Sequence, residues 1–323
     1  MTGPDCVDML MPAPMAPDVI EAIERDFTLH RLWEQPDPDR YLAAVAPRIR
    51  GMAVGGAAGR IDEHWFDRLP ALEIVAHFGV GYETIDAAAA AARGIVVTNT
   101  PGVLDEEVAD LTIGLLLATL RRIPQADRYV RDGHWPDGPF PLSPTLRGRR
   151  IGLLGLGAIG KAVARRLEGF GVAIAYHGRT RQVGVAYDYH DSPVALAAAC
   201  DVLIAIVPGG AATRHLVDAA VLAALGPEGV FINVARGSVV DQAALIAALR
   251  DGVIGGAGLD VFADEPIVPE ELRAMPQVVL LPHIGSASRD TRAAMGQLVV
   301  DNLTSWFDGD GAVSPVSVPA APR

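Results

Sequence analysis

Short apolar runs alternate with helix-length stretches from the start of the chain: Val7 to Met11, Asp18 to Asp26, Phe27 to Leu32, Arg40 to Ala46, Met52 to Val54 and Ile74 to Phe78. That rhythm predicts a parallel sheet with crossover helices. Asp86 to Arg93 reads as a helix closed by Gly94, and Ile95 to Thr98 as a strand, so a first lobe ends near Asn99. Thr100-Pro101-Gly102 punctuates the chain, and Glu106 to Arg122 follows as a long apolar helix that could bridge two lobes. His134 to Pro141, rich in Pro and Gly, also carries Trp135 and Phe140. Two readings stay open for it, an arm packing on a neighbouring subunit and a surface loop folded back on itself.

After Arg150 the alternation restarts through Ile151 to Leu154, Lys161 to Phe170, Val172 to Tyr176, Val202 to Val207, Val230 to Val234, Gln242 to Arg250, Gly256 to Leu259 and Val278 to Leu281. These strands are continuous Val, Ile, Leu and Ala runs, as expected where both faces of a doubly wound sheet are covered. A last amphipathic helix, Arg289 to Phe307, is expected to cross back to the first lobe. The first domain is therefore read as 1–99 plus 286–323 and the second as 100–285.

A length of 323 residues suits two domains of roughly 150 each, and half of the residues are apolar, as in a globular α/β enzyme. The 27 Lys and Arg against 39 Asp and Glu give a formal charge of −12. With no basic stripe, nucleic acid is not an expected partner, and an anionic substrate must be caught by a local positive site. Cys6 and Cys200 have no metal-like spacing, so neither a disulfide framework nor a metal site is expected, and a cytoplasmic location fits best. Leu111 to Leu120 is too short to cross a bilayer, so no membrane association is expected.

Gly155-Leu156-Gly157-Ala158-Ile159-Gly160 follows a strand and opens a helix. There each glycine has a use: the turn, the backbone approach to a pyrophosphate, and helix-to-strand packing. A site preferring NAD usually carries Asp or Glu about 20 residues further on, at the end of the second strand. Here Tyr176 is followed by His177-Gly178-Arg179-Thr180-Arg181. Two guanidinium groups and a hydroxyl suit the 2′-phosphate of NADP, with NAD a possible second coenzyme. The alternative is that Arg179 and Arg181 are solvated and Asp188 folds back to the ribose.

Three polar segments stand directly after strands of the second lobe, where open α/β sheets bind ligands. They are Asn233-Val234-Ala235-Arg236-Gly237, Gly258 to Pro266, and Leu281-Pro282-His283-Ile284-Gly285-Ser286. Arg236, leaving an apolar strand, suits a carboxylate, although pairing with a structural Asp is the alternative. A histidine at one strand end, a carboxylate in the next loop and an arginine in a third supply proton donor, orienter and anion clamp.

With these segments, together with His77-Phe78-Gly79-Val80-Gly81 and Glu107-Val108-Ala109-Asp110, the chain resembles the D-isomer-specific 2-hydroxyacid dehydrogenase family, in its glyoxylate and hydroxypyruvate reductase branch. The resemblance runs nearly end to end. It implies two Rossmann/flavodoxin-like domains with parallel sheets and a cleft between them, a homodimer, and reduction of small 2-keto acids by hydride transfer. It also implies substrate binding by Arg236, orientation of the histidine by Glu265, and acid/base work by His283. The backbone amides of Val80 and Gly81 would hold the substrate carboxylate, although a tight turn alone is the other reading of that segment. Val207, Pro208, Val234, Ala235, Asp260, Gly285 and Ser286 would line the coenzyme, with Asp260 near the nicotinamide amide. Ala235 replaces a glycine of many relatives, and His177 the NAD-selecting Asp. Other D-2-hydroxyacid, formate or phosphite dehydrogenases, and dinucleotide-sensing corepressor-like proteins, share the fold and remain as alternatives.

Overall fold

In the computed structural model, which describes residues 6–317, the apolar runs form two separate, wholly parallel sheets. The chain divides into two compact units. One comprises the described residues through Leu104 together with those from Ser288 onward, and the other is Asp105–Ala287.

The first unit runs β1 (Asp8–Met11), α1 (Pro17–Asp26), β2 (Thr28–Arg31), α2 (Pro38–Val45), β3 (Ile49–Val54), α3 (Glu63–Arg68), β4 (Ile74–His77), α4 (Ala87–Ala92) and β5 (Val96–Thr98). Its strand order is β2-β1-β3-β4-β5. Alternate residues of each strand serve opposite faces. Leu10, Met52 and Val75 pack with Leu42, Phe66 and Ala90 of α2, α3 and α4, whereas Met9, Ala53 and Ala76 pack with Val19 and Ile23 of α1. Asp37, Asp62 and Asp86 accept hydrogen bonds from backbone amides in the first turns of α2, α3 and α4, capping each start.

The second unit runs α5 (Asp105–Arg121), α6 (Ile123–Arg131), β6 (Arg150–Leu154), α7 (Ala158–Glu168), β7 (Ala173–His177), β8 (Asp188–Tyr189), α8 (Pro193–Ala198), β9 (Val202–Ala205), α9 (Ala219–Leu225), β10 (Val230–Asn233), α10 (Gln242–Arg250), β11 (Gly256–Leu259), α11 (Glu270–Ala274) and β12 (Val278–Leu280). Its order is β12-β11-β10-β9-β6-β7-β8, which reverses direction between β6 and β9. Leu153, Ile204 and Ile232 pack with α5 and α7, while Leu203, Phe231 and Leu259 pack with α8, α9 and α10. Each such fully buried aliphatic or aromatic side chain stabilises the fold by roughly 1.5–3 kcal/mol before ordering costs. Gly258 lets α5 lie close on β11, since a Cβ there would sit 2.5 Å from Thr119 Oγ1.

The final helix, α12 (Arg289–Phe307), belongs to the first unit, where Val299, Val300 and Leu303 join the core around Met9 and Ala76. Elsewhere the elements shift from the sequence reading. The helix after the glycine turn begins at Ala158, not Lys161, because the turn itself supplies its N-terminus. The long apolar helix stops at Arg121, where Arg122 takes a left-handed φ of 53°, and α6 then begins at Ile123 with Pro124 in its first turn, a helix absent from the sequence reading. The aromatic segment after it divides. Phe140 folds back edge-on against Tyr129, 5.4 Å between ring centroids, under the Arg122 guanidinium, whereas Trp135 is 66% exposed. No described helix is long and apolar enough to cross a membrane, and no described group of His, Cys, Asp and Glu could hold a metal ion.

Candidate active site

The glycine turn leaves β6 and enters α7 under tight steric limits. Gly155 has φ +100°, and a Cβ there would lie 2.5 Å from the Ile206 carbonyl oxygen, beside the Val207 side chain. A Cβ at Gly160 would lie 2.5 Å from Gly155 O, so that residue sets how closely helix and turn approach. Gly157 differs: nothing stands within 4 Å of where its Cβ would be. It is the N-cap of an eleven-residue helix whose first amides receive no side-chain cap. Open space before uncapped amides at a helix N-terminus fits a pyrophosphate.

The next strand, β7, ends at His177, whose carbonyl accepts from Gly155 N at 2.9 Å. His177 Nδ1 faces the His190 carbonyl at 2.9 Å; a carbonyl can only accept, so Nδ1 carries the proton. Arg179, Thr180 and Arg181 are exposed, and among the described residues no carboxylate pairs with either arginine. Asp188 sits opposite Ala175 within the β7–β8 ladder, short of the strand end, rather than beyond it.

Three neighbouring strands, β10, β11 and β12, carry the reacting groups. Asn233 pairs with Leu259 and Leu259 with Leu280, so the segments that follow emerge side by side. Asn233 is fully buried; its Nδ2 donates to Arg236 O at 3.1 Å and its Oδ1 accepts from Ala235 N at 3.0 Å, shaping the bend that turns Arg236 out of the strand. The Arg236 guanidinium is half-buried and donates to Ala235 O at 2.7 Å.

Glu265 Oε2 lies 2.7 Å from His283 Nδ1, and its Oε1 accepts from Phe262 N at 2.9 Å. Burial alone would push the Glu265 carboxyl up; the hydrogen bonds from His283 and the Phe262 amide outweigh it and hold the carboxyl below its ordinary value. An ionised Glu265 accepts from Nδ1–H, which leaves Nε2 as the ring nitrogen of His283 that can face a substrate. His283 is the one residue of the three with a left-handed backbone, φ 53°, and its side chain is 45% exposed. Its amide donates to Asp260 O, and the Asp260 carboxylate accepts from Ile284 N at 2.7 Å and Gly285 N at 2.8 Å. Asp260 is buried, which pushes its carboxyl up against the pull of those two amides. It therefore clamps the histidine loop, a role its place in the sequence did not reveal. Val234, Ala235 and Gly285 are buried, Val207 and Ser286 half-buried, and Pro208 exposed, each at a strand-end turn of this sheet.

In the first unit, the turn after β4 has the carbonyls of Gly79, Val80 and Gly81 engaged. Thr100 N donates to Gly79 O, Asn99 Nδ2 to Val80 O, and His77 Nε2 to Gly81 O, at 2.8–2.9 Å. Among the described residues no acceptor meets the N–H groups of Val80 and Gly81. Such paired, unanswered amides suit a carboxylate.

A doubly wound parallel sheet, a glycine turn before an uncapped helix, and a carboxylate-oriented imidazole beside a strand-end arginine define a dinucleotide-dependent dehydrogenase. The chain belongs to the D-isomer-specific 2-hydroxyacid dehydrogenase family: residues 113–285 match the family's NAD binding domain. It is 46% identical over 312 residues to glyoxylate/hydroxypyruvate reductase A of Arabidopsis thaliana, covering 97% of this chain and 99% of that one. Over the same length and coverage it is 44% identical to hydroxyphenylpyruvate reductase of Plectranthus scutellarioides. Among solved structures it resembles an NADPH-dependent glyoxylate/hydroxypyruvate reductase from Sinorhizobium meliloti in complex with NADP and malonate, with 53% identity, a TM-score of 0.90 and 98% of each chain covered.

Proposed function

We propose that this protein reduces small 2-keto acids, glyoxylate and hydroxypyruvate first among them, to 2-hydroxy acids with NADPH, and that NADH serves less well. The observation carrying this reading is the 2.7 Å contact between Glu265 and His283 Nδ1, which prepares Nε2 to give a proton. The nicotinamide coenzyme supplies the hydride. His283 Nε2 donates its proton to the substrate carbonyl oxygen, and Glu265, held ionised, stabilises the charged ring before transfer. Arg236 steadies the charge developing on that oxygen, and the amides of Val80 and Gly81 bind the substrate carboxylate. In this reading the first unit is the substrate-binding domain and the second the dinucleotide-binding domain. Coenzyme contacts come from the glycine turn, from His177, Arg179, Thr180 and Arg181, and from the turns at Val207–Pro208, Val234–Ala235, Asp260 and Gly285–Ser286.

NADPH oxidation followed by absorbance with glyoxylate and hydroxypyruvate tests the reading directly. A kcat/KM with NADH equal to or above that with NADPH would overturn the coenzyme assignment, and no turnover of either acid would overturn the substrate assignment.

The same reading includes a homodimer formed through α6 and the segment after it. No residue of α6 is buried, and Ile123, Val130, Trp135 and Leu142 are all large, apolar and exposed. Sedimentation velocity should give a dimer, and Val130→Asp with Leu142→Asp a monomer. The free thiols Cys6 and Cys200 suit a reducing, cytoplasmic setting.

A further inference from the structure

The four residues Gly178 to Arg181 that carry the exposed arginines are bounded by two anchors, and both anchors end on the glycine turn. At the first, His177 O accepts from Gly155 N at 2.9 Å. At the second, Gln182 Nε2 donates to Leu156 O at 2.8 Å, while its backbone N–H donates to the Tyr176 hydroxyl at 2.7 Å. That hydroxyl belongs to a side chain only 1% exposed, packed 5.3 Å from the Tyr189 ring. Tyr189 in turn donates to Gly178 O at 3.3 Å.

We infer that Gln182 is a positioning residue for coenzyme choice: with the Tyr176 hydroxyl, it holds the Arg179–Arg181 loop at a fixed spacing from the glycine turn, so that 2′-phosphate and pyrophosphate are met together. The chemistry of the anchor requires an amide. Leu156 O only accepts, so Gln supplies the N–H that Glu, of the same shape, lacks. NAD has no 2′-phosphate, so a loosened loop costs it little. An anchored loop spares NADPH the ordering of two long arginine side chains on a mobile backbone.

This inference rests on Arg179, Thr180 and Arg181 receiving the 2′-phosphate, and the test separates the two. Calorimetric Kd values for adenosine 2′,5′-bisphosphate and adenosine 5′-monophosphate are compared in the unaltered protein, Q182L, Q182E, and the R179Q/R181Q double variant, beside KM and kcat with NADPH and NADH. Expected for both Gln182 variants is a roughly three- to tenfold weaker Kd for the bisphosphate and a matching rise in NADPH KM. The monophosphate Kd, the NADH KM and kcat should stay within about twofold. Unchanged bisphosphate binding in Q182L and Q182E, with weakened binding in the double arginine variant, would overturn the role of Gln182 alone. Parallel weakening of both nucleotides would overturn it too, making Gln182 a general support of the turn. An unaffected arginine variant would overturn the phosphate reading and this inference together.

Discussion

Gly237 and Phe262 meet backbone to backbone: a Cβ on Gly237 would stand 1.8 Å from the Phe262 carbonyl oxygen and 1.9 Å from its carbon. Gly237 follows Arg236, and the Phe262 amide holds Glu265. The loop of the anion clamp and the loop of the orienting carboxylate are thereby fused into one support.

Gly237→Ala should break that support. Backbone on both sides must move, so a loss of about 1–3 kcal/mol or more in unfolding free energy is expected, with a fall in kcat/KM even at temperatures where the variant is folded. Urea unfolding and steady-state kinetics on the same preparation check both.

Glu265→Gln should lower kcat by on the order of 10²- to 10³-fold, because one amide cannot accept from both Phe262 N–H and His283 Nδ1–H. Since the folded state holds the Glu265 carboxyl below its ordinary value, it favours the ionised form. Its stabilising contribution is therefore complete above the ordinary glutamate range and is lost as pH falls through the depressed value. The stability difference between the unaltered protein and Glu265→Gln, measured by urea unfolding, should be full at pH 7 and close below about pH 4.

Asp260→Asn keeps the shape but turns an amide NH2 toward either Ile284 N–H or Gly285 N–H. One buried contact is lost and the His283 loop is freed. About 5- to 100-fold should disappear from kcat, with the near-ultraviolet circular dichroism of the folded protein retained.

His283→Ala should cost roughly 10²- to 10⁴-fold in kcat, the usual contribution of a general acid. The Kd for NADPH, measured by fluorescence titration, should move little. Turnover equal to that of the unaltered protein would remove His283 from the mechanism.

Much of this site is legible in the chain because residue type and strand end coincide. The glycines between Leu154 and Lys161, Arg236 after an apolar run, and His283 after Leu281 each break a hydrophobic pattern where a doubly wound sheet puts its ligands. α12 was legible to its end residues, since Ser288 caps its start through the Thr291 amide and Asp308-Gly309 follows Phe307 at its end. What escaped depends on side-chain direction across loops. Asp260 and Asp264 stand four apart in one acidic segment, yet only Asp260 turns inward onto the Ile284 and Gly285 amides. Gly237 reads as an ordinary turn glycine until Phe262 is laid against it. Gln182 looks like a solvated neighbour of two arginines until Leu156 O meets its side-chain amide and the Tyr176 hydroxyl its backbone N–H. α6 escaped for a local reason: a single left-handed residue, Arg122, ends one helix and caps the next, so no loop of turn residues separates them.

The placement of α12 in the first unit has a consequence for biosynthesis. Val299 and Leu303 complete a core whose other members, Met9, Ile23 and Ala76, leave the ribosome more than two hundred residues earlier. The interior unit, Asp105–Ala287, is fully translated before that late helix is made. Until then the first sheet has only α1 on that face, and the apolar strip of Met9 and Ala76 that α12 covers stays exposed.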